Sequence, residues 1–302
     1  MIKVNNNVYI YSFYRFLKIE NKKKLKSILN NFFEKQNIRG TILIADEGIN
    51  ASISGNLKSL TEAIKLIKKI LNIRKLNIKI NKNSFLPFNR IKVRLKKEIV
   101  SLGKGNVNVN INAIKFIHPS DWITLIKRKD IKLIDTRNVY ETKIGRFKNA
   151  IDPGTSSFRE FPEKLNKIGI NKNDKLALYC TGGIRCEKAS AYLKSKGFKN
   201  IFQLEGGILN YLNHFKDQKI KPYWNGECFV FDNRVTVDQN LNKGKYEQCY
   251  GCRHPITKRE ISSKKYKKGV YCPFCFDKRT TKQIKRSQDR QKQINQFRQK
   301  NY

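Results

Sequence analysis

Apolar residues recur along the chain at two periods, and each switch of period marks a new element. Over residues 7–17 the alternation is that of a strand, with Val8, Ile10, Ser12 and Tyr14 on one side and Tyr9, Tyr11 and Phe13 on the other. Helical spacing follows at Leu25, Ile28, Leu29, Phe32 and Phe33, with the lysines largely opposite. Residues 38–45 read as a strand, Asp46-Glu47-Gly48 as a turn and 49–54 as the hairpin partner. A second helix carries Leu60, Ile64, Ile67 and Ile70. Residues 76–80 form a core strand, and 91–100 add another extended, basic piece. The order β-α-β-β-α-β is that of a ferredoxin-like α+β domain, spanning 1–103. Its lysines suit either a solvated helix face or a phosphate-contacting one. Its aromatic first strand suits either a core or a stacking platform for bases.

Residues 103–112 are polar and contain glycine, so they serve as a linker. Beyond them strands and helices alternate. Pro119-Ser120-Asp121 opens a short helix, and 131–134 is a buried strand ending at Asp135-Thr136-Arg137, whose charges pair structurally. Asn149-Ala150-Ile151 marks a short strand, 158–168 a helix capped by Ser156 or Ser157, 176–179 and 201–204 two more strands, and Gly206-Gly207 the start of another helix. Such alternation implies a parallel sheet over 113–222, with ligands at the carboxyl ends of its strands.

One of those ends carries the most reactive-looking stretch, Tyr179-Cys180-Thr181-Gly182-Gly183-Ile184-Arg185-Cys186. A loop entering a helix leaves backbone N–H groups without partners at the positive end of the helix dipole, so an anion is favoured there. Such surroundings lower a thiol pKa from ~8.5 to between ~3.5 and ~7.5. Gly182 and Gly183 free the backbone to turn its amides toward the sulfur, and Arg185 either adds charge or braces the loop. Cys186 is either a resolving thiol or an inert residue of the first helical turn. Phosphatase loops of similar design hold one residue more between Cys and Arg, so this smaller cradle suits sulfur. It resembles the active-site loop of a rhodanese domain, where the cysteine carries a persulfide. Asp135-x-Arg137, Tyr140-Glu141, Gly145, Ala150 and Leu204-x-Gly206-Gly207 stand in rhodanese order, although Gly145-Arg146-Phe147-Lys148-Asn149-Ala150 lacks that family's usual histidine, proline and second glycine.

Composition adds a partner. The formal net charge of +40 over 302 residues favours a polyanion and salt-dependent binding, although A/T-rich codons also enrich Lys, Asn and Ile. Seven cysteines, an odd number, argue for a reducing compartment over a disulfide framework. With no signal-peptide pattern at the start and no apolar run long enough for a membrane span, a cytoplasmic location is expected. Residues 223–302 form a Cys-rich region with a basic tail. In it Cys249-x-x-Cys252 and Cys272-x-x-Cys275, nineteen residues apart, match the tetrahedral thiolate needs of a structural Zn²⁺. The alternatives are an apo thiol cluster or disulfides, and His254 is a bystander or a substitute ligand. The Lys-, Arg- and Gln-rich residues 277–302 suit a solvated helix, a disordered tail or an RNA contact. Only His118, His214 and His254 are present, scattered, so no facial metal triad is visible, and no dinucleotide fingerprint occurs.

The whole chain resembles the rhodanese-like tRNA uridine hydroxylases known as TrhO. The stretches that carry the likeness are Asp46-Glu47-Gly48-Ile49-Asn50, Phe158-Arg159-Glu160-Phe161-Pro162, Cys180 through Ser190, Gly226 through Val237 and the terminal cysteine pairs. The resemblance implies oxygen-dependent formation of 5-hydroxyuridine at the tRNA wobble position, with molecular oxygen as co-substrate and basic surfaces holding the anticodon region. It places the active-site cysteine at Cys180, with Arg185 beside it. Two other functions stay open on the residues: a persulfide sulfurtransferase using the same loop, and a non-catalytic RNA-binding module.

Overall fold

A computed structural model describes residues 8–105, 107–110, 114–216, 218 and 223–300, without the side chains of 297–300. Residue 7, with which the first strand was expected to begin, linker residues 106 and 111–112, and the last two tail residues lie outside the described ones. The chain forms two compact units. One comprises residues 1–228 with 239–242, the other 229–238 with 243–302.

The first unit holds two sheets. In the amino-terminal one, β1 (Val8–Phe16), α1 (Lys22–Lys35), β2 (Arg39–Ala45), β3 (Gly48–Gly55), α2 (Leu57–Ile70) and β4 (Ile78–Asn83) follow the expected order, and β5 (Ile91–Leu95) is added outside β2. The strand order is β4-β1-β3-β2-β5, with β5 parallel to β2. Asn21 and Asn56 cap the two helices through side-chain oxygens that accept from Lys24 and Ser59. Leu25, Leu29 and Phe33 of α1 and Leu60, Ala63, Ile64 and Ile67 of α2 pack on one sheet face, together with Tyr11 and Phe13 of β1. Those two aromatics are therefore core. Tyr14, one residue on, points to the opposite face because strand side chains alternate.

The second sheet is all-parallel in the order β6-β10-β9-β7, from β6 (Lys115–Ile117), β7 (Ile131–Asp135), β9 (Lys175–Tyr179) and β10 (Asn200–Leu204). Helices α3 (Pro119–Ile126), α4 (Val139–Thr142), α5 (Phe161–Asn166), α6 (Ile184–Ser195) and α7 (Gly207–Phe215) connect and flank it. Two local expectations are corrected. The strand expected at 149–151 is β8 (Gly145–Phe147), paired antiparallel with β11 (Trp224–Gly226). Asn149 takes a left-handed φ of 62°, which breaks the extended run and leaves Ile151 a single bridge to Ile134. Phe147 fixes β8 instead, its ring meeting Tyr179 and Tyr211 at 4.9 Å and Trp224 at 5.2 Å. The helix expected over 158–168 is a 3₁₀ turn, Phe158–Glu160, followed by α5. Pro162 accounts for the break, since it has no N–H to bond back to the turn before it. Ser157 makes no side-chain cap; the Ser156 N–H instead donates to Glu160 Oε2 at 2.9 Å.

In the second unit Ile256 is buried with Cys249, Cys272 and Cys275, and Phe229, Val230, Val235, Val237 and Val270 are buried as well. Its hairpin of Glu247–Gln248 and Pro255–Ile256 leads to the capping-box helix Lys258–Ile261 and later to the long, solvated helix Thr281–Lys300. Arg279 donates to Gly251 O and Ser287 Oγ, both at 2.7 Å, and Arg290 to Gly269 O at 2.7 Å, so guanidinium bonds help seat this helix. Among the described residues no helix is long and apolar enough to cross a membrane.

Candidate active site

Strand β9 ends at Tyr179 and α6 begins at Ile184, which puts Cys180 in the junction between them. Gly183, the residue before the helix, has φ 100°, and this turn aims its N–H at Cys180 Sγ, 3.0 Å away. Gly182 does not share that conformation; of the two glycines only Gly183 needs it. Helix α7 closes the other side. The N–H groups of Ile208 and Leu209 donate to Cys180 O and Thr181 O at 2.9 and 3.1 Å. A Cβ at Gly207 would lie 2.4 Å from Cys180 O and 2.9 Å from the amide nitrogens of Gly182 and Gly183.

Burial alone would push the Cys180 thiol up. The Cys186 S–H, the Arg185 charge and the N–H groups of Cys186 and Gly183 outweigh it and hold the sulfur well below the usual thiol range. Cys186 moves the opposite way, pushed up by burial and by the neighbouring Cys180 charge. Its place is that of a hydrogen-bond donor to the thiolate. Cys228 is buried too, and its thiol is pushed up to about 12.

Arg185 acts on the sulfur through its charge. Its guanidinium is a fork on Glu141, Nη1 to Oε2 at 2.6 Å and Nη2 to Oε1 at 2.7 Å, and both residues are buried. Glu141 is held below the usual carboxylate range, because the Arg185 and Arg137 charges overcome its burial. Arg137 forks in turn onto Asp135 at 2.9 and 2.7 Å and donates to Gly145 O at 2.6 Å, the structural pairing that their spacing suggested.

The amino-terminal domain supplies side chains that sequence reasoning missed. Tyr14 Oη donates to Glu187 Oε1 at 2.6 Å, and Lys79 Nζ donates to Gly182 O. Lys188, wholly buried, meets Glu47 Oε1 and Oε2 at 2.8 Å each, Glu98 Oε2 at 2.6 Å and Val100 O at 3.0 Å. The one available signal was the run Arg185-Cys186-Glu187-Lys188, four polar or ionisable residues in succession on a helix that turns all of them inward. Cys180 itself has no exposed surface. The groups around the sulfur favour its thiolate and also cover it, so a reactant reaches it only when part of this shell moves.

In the second unit the sulfur atoms of Cys249, Cys252, Cys272 and Cys275 all lie within 4.8 Å of one another. The separations Cys249–Cys275 4.0 Å, Cys252–Cys272 3.7 Å and Cys272–Cys275 3.9 Å approach the ~3.8 Å edge of a tetrahedron with ~2.3 Å metal–sulfur bonds. The cluster can hold a metal ion. His254 Nδ1 lies 3.3 Å from Cys252 Sγ, beside a ligand rather than in place of one. His118 and His214 meet edge to face at 5.1 Å, and among the described residues the four cysteines are the one metal-competent group.

Comparison with known proteins follows this division. The UPF0176 acylphosphatase-like domain model matches residues 8–99, and the rhodanese-like domain model matches residues 119–214. A tRNA uridine(34) hydroxylase of Pelagibacter ubique (strain HTCC1062) is 47% identical over 287 residues, covering 95% of this chain and 94% of that protein. The chain belongs to the tRNA uridine(34) hydroxylase family. Of the stretches through which it resembles that family, Asp46-Glu47-Gly48 and Cys180 through Ser190 meet in the fold, since Glu47 is bound to Lys188. Among solved structures, the chain is similar to a rhodanese-like domain protein from Staphylococcus aureus, at 28% identity over 32% of this chain and 91% of that one, TM-score 0.28. It is also similar to a polysulfide-sulfur transferase of Wolinella succinogenes, at 27% identity over 34% and 76%, TM-score 0.30.

Proposed function

We propose that this chain hydroxylates the wobble uridine of tRNA to 5-hydroxyuridine in the cytoplasm, with molecular oxygen as co-substrate and Cys180 as the catalytic thiolate. The observation that carries the reading is the Gly183 N–H aimed at the Cys180 sulfur from 3.0 Å at a strand's carboxyl end, where the Cys186 thiol and N–H and the Arg185 charge also favour the thiolate. The thiolate adds to C6 of the uracil ring, and the electron pair displaced from the C5–C6 bond makes C5 the site of oxidation. Arg185 acts by fixing Glu141 and lending charge to the loop. An anticodon base is single-stranded, so presenting it costs little beyond unstacking.

The work divides by region. Residues 1–103 hold RNA and cover the thiol, 113–222 carry the chemistry, and 223–302 form a module closed by Zn²⁺ on Cys249, Cys252, Cys272 and Cys275. Zn²⁺ there is structural: four thiolates leave no position open for substrate. Phosphate contacts come from basic faces. One is a depression of about 880 Å³ lined by Lys23, Lys26, Lys92 and Arg94. Another is the long terminal helix, with Lys282, Lys285, Arg286, Arg290 and Lys292. Binding to tRNA should weaken steeply with salt.

The test is mass analysis of tRNA nucleosides from cells lacking the protein, complemented with wild type or Cys180→Ser, under ¹⁸O₂. Labelled 5-hydroxyuridine restored by wild type alone supports the reading. Sulfur in place of oxygen identifies a sulfurtransferase, and full restoration by Cys180→Ser identifies an RNA-binding module.

A further inference from the structure

Two buried acceptors beside the Cys180 loop have no partner. Glu187, in the first turn of α6 and 5% exposed, uses Oε1 for the Tyr14 hydroxyl and leaves Oε2 unbonded. Gln203, at 0% exposure, donates Nε2 to Gly183 O at 3.3 Å and leaves Oε1 unbonded. A buried oxygen left without a donor is costly, more so when charged, so such positions suit a hydrogen-bonding ligand or proton exchange. Tyr14, which holds Glu187, and Gln203 converge on one residue: a Cβ at Gly183 would lie 2.7 Å from Tyr14 Oη and 3.8 Å from Gln203 Nε2. The groups facing Glu187 are Tyr14 and Arg15 from β1, Lys79 from β4 and the Cys180 thiolate. Burial raises the carboxyl most, the Cys180 charge adds to it, and the Tyr14 bond and the Lys79 and Arg15 charges pull back, leaving it at about 7. A carboxyl there exchanges protons at neutral pH.

We propose that Glu187, positioned by Tyr14, is the general base that takes the C5 proton of the uracil ring and releases the product from Cys180. The inference rests on the covalent role proposed for Cys180. Once the ring carries sulfur on C6 and hydroxyl on C5, Oε2 removes the proton from C5. The C5–H pair becomes the C5=C6 bond, the C6–S bond breaks, and its electrons return to Cys180 as thiolate. The proton stays on Glu187, and the step consumes no oxidant. Tyr14 comes from the amino-terminal domain, so the base is correctly set only while that domain is docked.

The experiment uses the full chain with tRNA, following hydroxyuridine formation against pH and the SDS-resistant Cys180–tRNA adduct. Glu187→Gln keeps an oxygen for Tyr14 to donate to. It is expected to lower turnover by about 10²–10⁴-fold while the adduct accumulates. Turnover within tenfold of wild type, or loss of turnover with no adduct, overturns the assignment. Tyr14→Phe removes a bond that holds the Glu187 pKa down, so the acid limb of the rate profile should move up by about one pH unit. An unmoved limb overturns the positioning role, and this arm stands even if Glu187→Gln fails to fold. Cys180→Ser separates the two layers. If it still hydroxylates, the covalent role falls and this inference with it; if only Glu187→Gln stays active, the inference alone falls.

Discussion

Replacing Lys188 with methionine removes the cation from a cluster that joins the amino-terminal domain to α6, the helix after the Cys180 loop. The Nζ holds three carboxylate contacts of 2.6–2.8 Å and one carbonyl at 3.0 Å, and the side chain has no solvent exposure. Without it, Glu47 and Glu98 face each other as two carboxylates 20% and 15% exposed. Removing one member of a buried ion pair costs about 3–5 kcal/mol. The lower end applies here, because both carboxylates keep backbone donors, Ile99 N to Glu47 at 2.7 Å and Leu102 N to Glu98 at 3.0 Å. A loss of about 3 kcal/mol lowers the unfolding midpoint of a unit this size by roughly 6–12 °C. The assay is calorimetry of the full chain from neutral to acid pH. Although burial would raise the Glu98 carboxyl, the Lys188 bond and the backbone N–H groups hold it below its usual value. Its contribution is therefore present above the unfolded-state carboxylate pKa and lost as pH falls through the folded one. The gap between wild type and Lys188→Met should be widest at neutral pH and narrow in acid. Adding Glu47→Gln and Glu98→Gln should recover most of the loss, since glutamine still accepts the backbone bonds without charge. A midpoint within 2 °C of wild type at pH 7, or a gap that widens in acid, would refute the reasoning.

Three further outcomes are expected. Gly183→Ala places a methyl 2.7 Å from Tyr14 Oη at φ 100°, so it should cost about 1–3 kcal/mol in denaturant unfolding. Iodoacetamide alkylation at Cys180, followed on its tryptic peptide, should stay flat with falling pH past the ordinary thiol midpoint of ~8.5. Arg185→Lys breaks the fork on Glu141 and should move the Cys180 midpoint upward, in the direction that burial alone favours. Purified chain should carry about one Zn per molecule, and Cys272→Ser or a strong chelator should remove it and unfold the second unit, read by metal emission and proteolysis.

Periodicity and turn chemistry were enough to order the elements of the amino-terminal sheet and to find β7, β9 and β10 of the second, though not its short edge strand β6, to put Cys180 at a strand end and to group Cys249, Cys252, Cys272 and Cys275. Each of these depends on backbone hydrogen bonding or ligand spacing within a few residues, which local sequence encodes directly. Where a local feature ran against the pattern, as at Asn149 and Pro162, the expected element moved or broke. What only the tertiary structure decided is the shell around the sulfur. Tyr14 meets Glu187 across 173 positions, Lys188 meets Glu47 across 141, Lys79 meets Gly182 across 103, and Arg185 meets Glu141 across 44. A charge on a helix has the same spacing whether it faces water or a partner domain. Docking desolvates it, and desolvation selects the few opposite groups that can satisfy it.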